Sequence, residues 1–223
     1  MNLNLLEEYV LLALDDEKGQ FVIDSTALNY GFAGAVLLEL ALRNKFEIKN
    51  DRLMLIDNTY ESEIALNKMI DLIKEKDSCE VSECISHLAK RANDIKEDTL
   101  QHLINKDILK KTEKKILWLI PNKKYPTSNA TPENKVRQRL DDVLSDEVET
   151  SVHDIMLLSL IQATHLVKEA FRNASDYKKV KARIDEVTQN LKVSQSFNKG
   201  LREIQAAIMM AVAQSVISID SLD

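Results

Sequence analysis

Glycine and proline are scarce in this chain, with four Gly and three Pro among 223 residues. An all-β sandwich or barrel needs turn residues at short intervals, so this scarcity excludes such folds and favours long helices. Cysteine occurs only twice, as Cys79 and Cys84 in CEVSEC. The spacing is not C-x-x-C, and His87 lacks a fourth partner at metal-ligand spacing. Two reduced thiols on or near a helix are expected, which suits a cytosolic protein. Long apolar runs are also missing. The longest, Ala206 to Ala213, falls far short of the roughly 20 residues that span a bilayer. Met1-Asn2-Leu3-Asn4 has no basic start, and Glu7-Glu8 interrupt the apolar run that follows, so no signal peptide is expected. The reading is a soluble or peripheral protein. Positive charge is in deficit: the formal net charge is −6 and the pI about 5.4. That excludes a general polyanion binder, and any contact with anionic lipid or nucleic acid must come from a local patch. G-x-S-x-G, a Gly-rich phosphate loop and H-E-x-x-H are all absent, and a non-enzymatic protein is expected.

What is present is globular, with 44 % hydrophobic and 30 % charged residues. The stretch Tyr30 to Asp57 organises the rest. Phe32, Val36, Leu37, Leu40 and Ala41 recur at helical spacing over 32–43, while Gly31, Ala33, Gly34 and Ala35 permit close approach of a second helix. Phe46, Ile48, Leu53 and Leu55 then flank a polar Lys49-Asn50-Asp51-Arg52, which reads as a short hairpin. A second helix-plus-hairpin follows at 95–120. Its strands are expected at 106–109 and 116–120 around a polar turn, Lys110 to Lys115, and Pro121 to Pro132 reads as a loop. The likeness of the two units is either a weak internal repeat or the commonness of the motif.

Helices are also expected at 3–14, 60–75, 81–91 (N-capped by Ser82), 133–144, 155–171, 177–191 and 201–219. Those at 3–14, 155–171 and 201–219 are apolar nearly all round and must bury one another. With 32–43 they make a central four-helix core ringed by amphipathic helices. The fold class is therefore mainly α with two projecting β-hairpins, as a single domain over 1–223.

Candidate chemistry is sparse. His153 and Asp154 are adjacent on a helix and face different ways, so they form no dyad there. His165, amid Leu and Val, is expected inside its helix as a core or half-buried residue. One charge anomaly stands out. Lys106 to Lys124 holds seven Lys against Asp107 and Glu113, with Trp118 and Tyr125 interleaved. Either this hairpin touches an anionic surface, or its Lys side chains are solvated and discourage edge pairing. Helix plus hairpin is also the outline of a winged helix. The organising helix carries cations only at its end, Arg43 and Lys45, so nucleic acid is not an expected partner.

LLEEYVLLALDDEKG, GFAGAVLLELALRNKFEI, INKDIL and HDIMLLSLIQATHLVKEAF, in that order, resemble the Golgi phosphoprotein 3 family. The resemblance covers nearly the whole chain, and the chain reads as a bacterial-type member. It implies a hydrophobic four-helix core ringed by amphipathic helices. It also implies the role of the eukaryotic members, peripheral Golgi adaptors that bind phosphatidylinositol 4-phosphate in a shallow basic pocket. The family's lipid-contacting tryptophan falls on Asp24 here and the arginine within G-x-x-G on Ala33. Its two arginines one turn apart fall on Asn93 and Lys96. Lys90 and Arg91 lie close by as alternative sources of charge. The headgroup candidates are thus Lys96, Lys90 and Arg91, and the membrane-contact candidates are Lys110, Lys111, Lys114, Lys115 and Trp118.

The reading is a non-enzymatic, cytoplasmic binding module, peripheral on the cytoplasmic face of a membrane, without cofactor or metal. Its partners are anionic phospholipid, a protein, or a second copy of the chain. The alternative is a soluble helical interaction or oligomerisation scaffold with no lipid role.

Overall fold

Asn4 starts the first helix, α1 (Leu5–Ala13), through a reciprocal cap. Its side chain accepts the Glu7 N–H, and the Glu7 carboxylate accepts the Asn4 N–H. Every residue of α1 is buried, Glu7 and Glu8 included, as an apolar circumference requires. The computed structural model describes residues 3–50, 52–76, 78–116, 120–189, 201–210 and 212–213.

Asp24 accepts the N–H groups of Thr26 and Ala27 and so begins α2 (Ser25–Leu42) seven residues before the expected start. At 18 residues with mean hydropathy 1.3, α2 is long and apolar enough to cross a membrane, yet 67 % of it is buried in the fold. It packs on α1, α4 (Val81–Ala89), α5 (Ala92–Asn105) and α7 (Val152–Ala163). Two glycines admit these neighbours. A Cβ on Gly31 would lie 1.9 Å from the Tyr9 hydroxyl, and one on Gly34 would lie 2.3 Å from Ile208 Cδ1. Ile208 belongs to a helix over 201–210, here α10. The expected core of α1, α2, the α7 region and α10 is therefore present. The remainder of 201–219 lies outside the described residues.

Around it stand α3 (Ile64–Lys76), α6 (Thr131–Leu144), the short α8 (Val167–Ala170) and α9 (Tyr177–Gln189), the last capped by Asp176 through the N–H groups of Lys178 and Lys179. The expected helix 155–171 is broken between α7 and α8. His165 sits in the break at φ 62°, exposed rather than within a helix. Glu80, with no side-chain cap bond, stands at the N-cap of α4 in place of Ser82.

The first hairpin pairs β1 (Phe46–Lys49) with β2 (Arg52–Leu55) in the register Phe46↔Leu55 and Ile48↔Leu53. A two-residue strand, β3 (Cys79–Glu80), adds to β2 and completes a three-stranded sheet in the order β1-β2-β3. Cys79 and Cys84 are joined by a disulfide, with Cα atoms 5.9 Å apart, rather than being separate thiols. β3 runs directly into α4, which brings the two side chains together in the interior where both are fully buried. The expectation of a reducing compartment loses its support from these cysteines.

The second hairpin is β4 (Thr112–Ile116) with β5 (Ile120–Lys124). The expected turn at 110–115 is in fact mostly strand, and the expected loop from Pro121 begins inside β5. The apolar run at 116–120 predicts a return strand, whereas it spans the end of β4 and the start of β5, and half of the strand residues are charged. Its base is bound to the loop after α1. Tyr125 N–H donates to the Gly19 carbonyl, Thr127 N–H to the Asp16 carbonyl, and the Thr127 hydroxyl to the Asp16 carboxylate. Gly19 adopts φ 61°, and a Cβ there would lie 2.2 Å from the Pro126 nitrogen.

Candidate functional site

Lys90 and Arg91 form the corner between α4 and α5. Lys90 is the C-cap of α4 and Arg91 the N-cap of α5, with no side-chain cap bond at that terminus. Both side chains are exposed, and neither makes a hydrogen bond or ion pair with a described residue. The first turn of α5 adds partial positive charge from its N–H groups. One turn on, the half-buried Lys96 donates to the Asn93 side chain at 2.8 Å. The structure thus gathers the three headgroup candidates at one end of α5, together with Asp94 of opposite sign.

Two further positions that the family resemblance points to are not available for phosphate. Asp24 is exposed and already serves as the α2 cap, while Ala33 is fully buried. A carboxylate at the first repels an anion, and the second presents no donor.

The Lys-rich stretch divides. Lys106 reaches inward and holds the buried Glu7 carboxylate at 2.6 Å. Lys123 pairs with Glu97 at 3.3 Å, which ties the hairpin to α5. Lys110 and Lys111 are exposed at its base. Lys114 and Lys115 lie in β4 opposite Asn122 and Pro121, and their side chains are outside the described residues, as is Trp118.

A second cluster joins residues for which adjacency in the sequence predicts no dyad. His153 and Asp154 do not meet each other; they converge on α1 and α6. His153 Nε2 lies 2.8 Å from Glu8, and Arg139 engages both Glu8 oxygens while its Nε donates to Asp154 at 2.7 Å. Asp154 also accepts from Ser151, closing the α7 capping box. Burial works against a charged His153, but the Glu8 hydrogen bond and charge outweigh it and raise its pKa. The cluster borders a depression of about 370 Å³ that also includes Lys135. Its buried carboxylates are already matched by Arg139, so it ties α1, α6 and α7 together rather than offering a free base. The signal for it in the sequence is a pair of carboxylates, Glu7-Glu8, inside an apolar helix, because buried charges need partners.

A third cluster surrounds Arg43. Glu39, Glu61 and Glu63 bind its guanidinium at 2.8, 2.5 and 2.8 Å. Glu39 also accepts the Leu5 N–H, one of the unpaired donors at the start of α1. Among the described residues, no group of three or more His, Cys, Asp or Glu is arranged to hold a metal ion.

These features define a mainly α domain with a buried helical core, two hairpins and a cationic corner. The model of the family described as Golgi phosphoprotein 3 (GPP34) matches residues 5–208. The chain is 25 % identical over 167 residues to Vacuolar protein sorting-associated protein 74 of Schizosaccharomyces pombe, covering 66 % of this chain and 49 % of that protein. It is 22 % identical over 163 residues to the protein of the same name from Eremothecium gossypii, covering 64 % and 49 %. The chain spans about half the length of these curated relatives. It belongs to the Golgi phosphoprotein 3 family.

Proposed function

We propose that this chain is a non-enzymatic, adaptor-type module that docks peripherally on an anionic membrane surface from the cytoplasmic side. The observation that carries this reading is the corner at Lys90 and Arg91. These are two exposed cations, unpaired among the described residues, at the start of α5 in a chain of net charge −6. Lys96 extends it, and Lys110, Lys111, Lys114 and Lys115 with Trp118 supply a second contact on the hairpin. The names of the fungal relatives, which place them in vacuolar protein sorting, fit a module that works at membranes. Asp24 and Ala33 replace groups that would grip a phosphoinositide, so the contact is led by charge, with little selectivity among anionic headgroups.

Co-flotation with vesicles tests this. One set is neutral, one carries phosphatidylserine, and one carries phosphatidylinositol 4-phosphate. The expected result is binding to both anionic sets that is lost as salt rises. Lys90→Glu with Arg91→Glu removes two cations worth about 1 kcal/mol each near an anionic surface, so partitioning should fall at least tenfold. If reversal at Lys110, Lys111, Lys114 and Lys115 is the change that abolishes binding, the hairpin is the main contact. Failure to float with any anionic set overturns the reading.

A further inference from the structure

The base of the second hairpin hangs on Asp16. Its carbonyl accepts the Thr127 N–H at 3.0 Å, and one oxygen of its carboxylate accepts the Thr127 hydroxyl at 2.9 Å. Asp16 also meets Glu133, in the first turn of α6. The two carboxyl groups converge on one nitrogen of Arg172, whose Nη2 donates to Asp16 at 3.1 Å and to Glu133 at 2.9 Å. They are hydrogen-bonded to each other as well. An ionised carboxylate has no hydrogen to give, so that bond exists only while one of the two carries a proton. The neighbouring charges fit this state. Arg137, on α6, donates from Nε to Glu133 at 2.7 Å, and Glu169, on α8, pairs with Arg137 and Arg172 at 3.4 Å. Three carboxyl groups thus face two guanidiniums, and the charges balance when one carboxyl is neutral. Glu133 is the group to stay neutral. Its side chain is 3 % exposed against 32 % for Asp16, and ionisation costs more where less water remains.

We propose that the Glu133–Asp16 pair is a proton-operated latch on the second hairpin. With the proton in place Glu133 donates to Asp16, and the hairpin base is clamped through Thr127. When the proton leaves to solvent by way of the half-exposed Asp16, two carboxylates face one another across Arg172. Their repulsion drives Asp16 outward, and Thr127 loses its anchor. Gly19 lies in the same loop, so the brace it gives to the Tyr125 N–H slackens too. The ribbon released in this way carries Lys110 and Lys111 at its base. Burial, and then Asp16, push the Glu133 pKa up to about 7. A group raised in the closed form supports that form fully below its ordinary value of 4.5, and the support is lost as pH rises to about 7. The latch is independent of the lipid reading.

Amide hydrogen exchange of the full chain provides the test, expressed as protection factors so that the intrinsic pH dependence of exchange cancels. Protection at Tyr125 and Thr127 should fall about tenfold or more between about pH 5 and about pH 7 and level off above that. The exchange should also be insensitive to low urea, because a local opening exposes little surface. Glu133→Gln keeps a donor toward Asp16 and cannot ionise, so the fall should vanish and protection should stay at its acid level. Asp16→Asn removes the opposing charge but keeps an oxygen for Thr127, and it should move the fall to lower pH. The profile of the parent chain needs no variant, and His153 is untouched by either substitution. Protection that does not change with pH in the parent overturns the proposal. So does a fall that persists in Glu133→Gln, or exchange at these two amides that follows urea as global unfolding does.

Discussion

Glu7, Glu8, Glu39 and Glu133 are nearly removed from water, and each meets a cation: Lys106, Arg139, Arg43 and Arg137 respectively. Breaking one buried pair from the cation side strands a carboxylate in the interior. Arg139→Ala, which leaves Glu8 with His153 alone and Asp154 with Ser151 alone, is expected to cost about 3 kcal/mol in urea unfolding. Gly19 is constrained differently. Its φ of 61° and the backbone of Tyr125 and Pro126 against its α-carbon leave no room for a side chain. Gly19→Ala should cost about 2 kcal/mol or more and loosen the second hairpin, read as faster amide exchange at Tyr125 and Thr127. Most of these residues are visible in the sequence only as anomalies. Glu7 and Glu8 stand out as charges in an apolar helix, but their partners lie about 100 to 150 residues away, a separation that no local pattern encodes.

At the scale of elements, helix periodicity is the dependable guide. The bounds of α1, α6 and α9 lie within about two residues of those expected, because apolar spacing acts locally, as do the Asn4 and Asp176 caps. The second hairpin lies several residues later than expected. Its strands pair charged residues such as Glu113↔Lys123, so they show no apolar-polar alternation by which the sequence could place them. The break at His165 is also hidden, since its neighbours continue a helical pattern on either side of it. The Lys90–Arg91 corner, by contrast, is legible as nearby charge, although its place at a helix junction is not. The hairpin is braced at its base by Gly19, Asp16 and Thr127, and its outer part is expected to be expendable for folding. Replacing residues 113–122 by Asn-Gly should leave the unfolding free energy within about 1 kcal/mol of the parent in a urea titration.

For the molecule as a whole, the sequence motifs that suggest the family turn out to be joined to one another. Glu7 of LLEE holds Lys106 of INKDIL, Glu8 meets His153 of HDIM, and Glu39 of LLELALR takes the Leu5 N–H. They mark the scaffold, which is why the fold is readable while the ligand is not. The same network sets how stability depends on pH. Arg43, opposed by burial, holds Glu63 down at about 2, so its contribution is present above the ordinary value of 4.5 and is lost as pH falls toward 2. Glu133, which burial and then Asp16 push up to about 7, acts in the opposite sense: stability falls as pH rises from 4.5 to about 7. His153 adds to that limb. Its folded pKa is raised, so its contribution is complete below 6.5 and disappears as pH climbs through the raised value. Thermal melts should therefore peak in mildly acid solution, and His153→Gln should flatten the decline above pH 6.5.

The burial of α1 has a consequence in time. Its apolar surface is covered by α5, α6, α7 and α8 as well as by α2. A ribosome adds roughly 5–20 residues per second, so about 10–30 s separate the synthesis of the first helix from that of the last of these neighbours. Through that interval a largely apolar helix waits half-clothed, which makes the nascent chain a customer for a chaperone that grips hydrophobic segments near the exit tunnel.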